Sequence, residues 1–63
     1  EIVGREDFIA MKVFAGGPVD LADARAVIDL DRGSIDLDLL RRLAQRFGRE
    51  TVKAVEVLID SVD

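Results

Sequence analysis

The stretch Glu6 to Ala24, EDFIAMKVFAGGPVDLADA, constrains this chain more than any other. From Phe8 to Ala15 every position is apolar except Lys12. A helix that is apolar all round has to be covered on all sides. Gly16, Gly17 and Pro18 forbid its continuation. A glycine suits the left-handed position that ends a helix, and proline suits the first position of the next one, where its missing N–H is not needed. The sequence therefore predicts a helical hairpin, with helices over about 5–15 and 18–30. Glu6 and Asp7 place negative charge in the first turn, where the helix dipole favours it.

Two further helices follow. Asp31-Arg32-Gly33-Ser34 has the composition of a turn. A third helix over about 36–47 would be capped by Ser34 or Asp36, with Leu40, Leu43, Ala44 and Phe47 inward and Arg41, Arg42, Gln45 and Arg46 toward solvent. Gly48 closes it. A fourth, over about 50–62, carries Val52, Val55, Leu58, Ile59 and Val62 at three-four spacing, with Glu56 able to pair locally with Lys53. Helix 2 should bury Leu21, Ala24 and Ile28, with Val27 beside them. Connections of two to five residues favour neighbouring helices running in opposite directions. The fold class expected is all-α, four short helices in an antiparallel array. At the start, Ile2 and Val3 are β-branched and read as a strand end, which suggests that the chain is a fragment of a larger α/β protein.

Composition removes several function classes. Cysteine and histidine are both absent, so there is no disulfide, no thiolate metal site and no imidazole base. The net charge of −4 argues against a general nucleic-acid binder despite the cluster Arg41, Arg42, Arg46 and Arg49, and there is no Tyr or Trp for bases to stack on. No apolar run reaches the roughly 20 residues of a membrane span, so a cytoplasmic protein is expected. A chain of 63 residues buries only about 60% of its unfolded surface, too little to enclose helix 1. Its partner is expected to be either its own N-terminal domain or a second copy meeting it through helix 1.

Lys12, Asp20 and Asp23 are the candidates for chemistry. Lys12 precedes Gly16 by four residues and Asp20 follows Gly17 by three, so at about 1.5 Å per helical residue they lie at similar heights, roughly 6 and 4.5 Å from the bend. Asp20 and Asp23, three apart, share a face. Two readings are open. In the structural one, the acids complement the helix dipole or satisfy its free N–H groups, and Lys12 pairs with Asp20 or extends to water. In the functional one, the ammonium meets a nucleotide phosphate and the carboxylates sit near a hydrated magnesium ion. Gly16-Gly17-Pro18 is a break between helices and not a phosphate loop, which would follow a strand and end in Lys-Ser or Lys-Thr.

The run Arg5-Glu6-Asp7-Phe8-Ile9-Ala10-Met11-Lys12, followed by Ala15 to Asp23, resembles the C-terminal motif of nucleotidyltransferase-like proteins related to the abortive-infection toxins. There E-D-L-I-A-x-K leads through a turn into D-x-x-D, and Asp36 to Leu43 is similar to a further D-L-x-x-L-R-R-x segment. The resemblance implies a helical part packed on an N-terminal α/β nucleotidyltransferase domain. It also implies a nucleotide-facing Lys12 supported by Asp20 and Asp23, and use of Mg2+ and a nucleoside triphosphate by the whole protein. The family's metal-binding G-S-x-x-D-x-D element is not in these residues, and Gly17 and Val19 stand where relatives carry basic residues. This chain alone is then expected to hold no metal and to catalyse nothing. The alternative expectation is a small helical self-association or protein-interaction module.

Overall fold

The computed structural model describes residues 4–62, so the expected strand end at Ile2 and Val3 lies outside the described residues. The protein is all-α. The described residues form four helices, α1 (Arg5–Ala15), α2 (Pro18–Leu30), α3 (Leu37–Gln45) and α4 (Arg49–Val62). None of them is long and apolar enough to cross a membrane.

Each boundary has a local cause. Gly16 ends α1 in the left-handed conformation, φ 74°, and its N–H donates to the Lys12 carbonyl at 3.1 Å. Pro18 opens α2. After α2 the Asp31 carbonyl accepts from the N–H groups of Ser34 at 2.8 Å and Ile35 at 3.0 Å, folding the turn that the composition predicted. Asp36 is the cap of α3 and not its first residue: its carboxylate accepts from the Leu39 N–H at 3.0 Å. That lengthens the connection to residues 31–36, one more than the longest expected.

The third helix is shorter than the sequence pattern predicts. The N–H groups of Arg46 and Phe47 donate to the carbonyls of Leu43 and Ala44, three residues back, so the chain tightens and leaves the α-helical path. Phe47 therefore extends no helical stripe. It stacks on Phe14 of α1, ring centroids 4.7 Å apart and planes at 27°.

One core holds the four helices together. It contains Ile9, Ala10 and Val13 of α1, Ala24 and Ile28 of α2, Ile35 of the α2–α3 connection, Leu40 and Ala44 of α3, and Val55 of α4. Leu21 and Val27 are half-buried at its edge. Ala10, Ala24 and Ala44 have no exposed surface, and their small side chains let the helices approach closely. α1 packs against the other three helices, and α4 against α2 and α3, whereas α2 and α3 do not meet. They flank α1 on opposite sides.

Polar contacts tie the same elements. Glu6 on α1 accepts from the Asp36 N–H at 2.9 Å, joining the start of α1 to the cap of α3. Arg41 was expected to face solvent and Glu56 to pair with Lys53. Instead Arg41 is half-buried and grips Glu56 with two hydrogen bonds, Nε–Oε2 2.5 Å and NH2–Oε1 3.3 Å. The planar fork of the guanidinium suits a carboxylate across a helix interface better than a flexible lysine on the same helix. Glu56 in turn holds the Arg41 guanidinium above its ordinary range, first by hydrogen bonding and then by charge.

Two substitutions test this account of the fold by urea unfolding. Gly16→Ala should lower stability by about 1–2 kcal/mol, because an L side chain is strained in that conformation. Gly33→Ala, where an added Cβ meets nothing within 4 Å, should change it little. Equal effects at the two sites would refute the role given to Gly16.

Candidate functional site

The two-residue connection Gly16-Gly17 sets the candidate site. It folds α2 back along α1, so that Arg5 at the start of α1 reaches Asp31 just past the end of α2, 3.6 Å away. Near the turn the same alignment brings Lys12 to Asp20 and Asp23. Its Nζ donates to Asp20 Oδ1 and to Asp23 Oδ2, each at 3.2 Å. All three residues nominated from the sequence thus converge on one point.

The cluster is partly open. The side chains of Lys12, Asp20 and Asp23 are 29%, 35% and 48% exposed. Lys12 lies at the seam of α1 and α2, its stem against apolar surface and its ammonium at the edge, as long cationic side chains do. The Phe8 ring, one turn back on α1, places its centroid 5.4 Å from Nζ, so the ammonium faces an aromatic surface as well as two carboxylates. A lysine has three N–H donors, and the carboxylates use two of them.

Why the acids lean toward Lys12 can be read from α2. Its cap is Gly17, which has no side chain to bond the first turn. A Cβ added to Gly17 would come within 3.0 Å of Asp20 Oδ2, so the absent side chain leaves space for the carboxylate. Asp20 is the acid in the first turn, where the helix dipole favours negative charge. Asp23 stands one turn further along the same face. The structural reading of the pair is therefore a contact with Lys12, strengthened by the dipole.

The electrostatics follow. Hydrogen bonds donated to Asp20 and then to Asp23, reinforced by the charges of those carboxylates, hold the Lys12 ammonium above the ordinary lysine value of 10.5, and desolvation opposes them only in part. One positive and two negative charges leave the cluster at −1. Beside it lies a shallow depression of about 270 Å³ lined by Phe8, Met11, Lys12, Ala15 and Asp20. One wall is apolar and the other ionic.

This arrangement engages all three side chains with one another. Among the described residues no three acids, histidines or cysteines come together to hold a metal ion. Asp20 and Asp23 already neutralise Lys12, and two engaged carboxylates do not fit a magnesium site by themselves. What the cluster offers a ligand is one remaining ammonium N–H beside an aromatic ring. Phe8 was missed as a neighbour of Lys12, although its position one turn before Lys12 on the same helix is the signal that would have found it.

No protein-family model, no curated protein and no solved structure matches this chain.

The sign of the Lys12 shift sets a pH test. A group whose pKa is raised in the folded state contributes stability below its unfolded value and loses it as pH rises through the folded one. The melting temperature of the wild-type chain should therefore fall more steeply above pH about 10.5 than that of Lys12→Met, followed by circular dichroism from about pH 8 to pH 12. Parallel curves would mean that the cluster contributes nothing to folding.

Proposed function

We propose that this chain is the helical segment of a nucleotidyltransferase-like protein, in which Lys12 contacts a nucleotide phosphate and Asp20 and Asp23 hold it in place. One observation carries the reading: the lysine and the two aspartates that the motif separates by a turn converge within 3.2 Å contacts. A motif whose polar residues form one partly exposed cluster, next to an apolar-walled depression, is consistent with a ligand-positioning edge.

In this reading the chain is not catalytic alone. Lys12 offers a compact cation whose third donor can reach a phosphate oxygen. Asp20 and Asp23 limit its rotamers and keep it protonated. The excess negative charge opposes a phosphate, so a second part of the protein has to supply further cations together with the ligands of a magnesium ion. The N-terminal domain implied by the motif is the source proposed.

Two calorimetric titrations with Mg–ATP test this. The 63-residue chain should give no binding heat. The protein as it is expressed in its source cells should have an intact mass well above 6.9 kDa and bind ATP, with affinity reduced about tenfold or more in Lys12→Ala. Unchanged affinity in that variant would remove the role assigned to Lys12. An intact mass of 6.9 kDa would remove the missing domain.

A further inference from the structure

The four helices enclose only one face of α1. Ile9, Ala10 and Val13 are buried, while Phe8, Met11 and Phe14 on the remaining surface are 37%, 56% and 57% exposed. Phe47, stacked on Phe14, carries the apolar surface onto the α3–α4 connection. Four large apolar side chains in one area are the usual mark of a docking surface.

The flanks of this face carry opposite charge. On the α2 side lies the Lys12–Asp20–Asp23 cluster, net −1. The nearest basic residue of that helix, Arg25, reaches away to the Ser61 carbonyl on α4. On the other side, beyond Phe14 and Phe47, Arg42 and Arg46 are exposed and one helical turn apart. Arg41 pairs there with Glu56 and lies 3.6 Å from Asp38, so that with Arg42 and Arg46 these five side chains carry a net charge of +1. Because α2 and α3 do not meet, α1 separates the acidic flank from the basic one.

A surface that holds both halves of its own complement fits a second copy of itself. We propose that the outward face of α1 is the interface of a two-fold dimer of this chain whose axis runs along α1. The direction of the axis comes from the charges. Lys12 and Phe14 are two residues apart, so the two flanks stand within about 3 Å of the same height on α1. A two-fold axis along α1 keeps height and exchanges left for right, setting Asp20 and Asp23 of one copy opposite Arg42 and Arg46 of the other. An axis across α1 would set acid on acid and base on base. The α1 helices of the two copies are therefore parallel, with Met11 and Phe14 at the centre. The dimer does not depend on nucleotide binding, and its test uses no nucleotide.

The test is sedimentation equilibrium of the chain at low salt, with circular dichroism melts to verify that each variant folds. The wild type should sediment at twice 6.9 kDa. Met11→Glu, at a position already 56% exposed, should be folded and monomeric. Asp23→Lys and Arg46→Glu should each raise the dimer dissociation constant by about fivefold or more, since each change acts twice in a symmetric interface. The double variant Asp23→Lys/Arg46→Glu restores both contacts and should return to within about twofold of the wild type. A wild type that stays monomeric overturns the proposal and leaves the face to another domain. So does a dimer that survives Met11→Glu, or one in which the double variant associates no better than the single ones. The readout is mass with no nucleotide present, so a monomeric wild type leaves the Mg–ATP titrations of Lys12→Ala to decide the role of Lys12 separately.

Discussion

The burial of α1 is the constraint on which the rest of this structure depends. It packs against all three other helices, as α4 does, and its Ile9, Ala10 and Val13 supply a third of the common core. So short a chain has little apolar surface to spare, and each remaining helix buries only a narrow stripe. The result is asymmetric. α1 is enclosed on one side and bare on the other, and its apolar content exceeds what its own partners can cover. The fold therefore leaves a helix that packs against all the others with an apolar face in solvent.

Lys12 sits at the border between those two faces. On a helix where every neighbour is apolar, a lone ammonium has to find anions, because moving a charge out of water without a partner is costly. The hairpin provides two. The ionic cluster is too exposed to be a strong source of stability, since partly solvated pairs contribute little. Its physical consequence is positional: sliding α2 along α1 would separate three charges at once, so the cluster fixes the alignment of the hairpin. That same fixing would aim an ammonium at a ligand. Position and chemistry share one arrangement, and charge separates them, because a cluster at −1 favours a cation or a basic side chain over a bare phosphate unless more positive charge arrives.

Much of this was legible in the sequence, for reasons of locality. Gly16, Pro18 and Asp36 mark helix ends because caps and breaks act over three or four residues, whereas Gly48, expected to close α3, lies beyond its end at Gln45. The meeting of Lys12 with Asp20 and Asp23 was legible because a short turn converts distance from the bend into height on each helix. The failures have the opposite character. Arg41 with Glu56, Glu6 with the Asp36 N–H and Phe14 with Phe47 are each set by which helices pack side by side. Periodicity places such residues on a face without saying what faces them. Phe47 shows a further limit: its spacing fits the α3 stripe, yet it lies past the end of the helix, where the aromatic contact across to α1 decides its place. Thr51, buried at the start of α4, gives no pattern signal at all.

The ionic cluster and the exposed apolar surface meet at the rim of the α1 face. The depression beside Lys12 shares Phe8, Met11 and Ala15 with the exposed apolar surface, so whatever covers that surface also walls the ionic cluster. Covering it would remove water from the Lys12 contacts and strengthen each of them, since the effective dielectric falls as solvent is excluded. It would also decide the sign of the local field. An interface that brings Arg42 and Arg46 to Asp20 and Asp23 turns a cluster of −1 into a positive one, and the remaining Lys12 donor then faces an environment that accepts an anion. The apolar face and the polar cluster are thus coupled by geometry: any cover on the hydrophobic surface also shields the Lys12 contacts that align the hairpin.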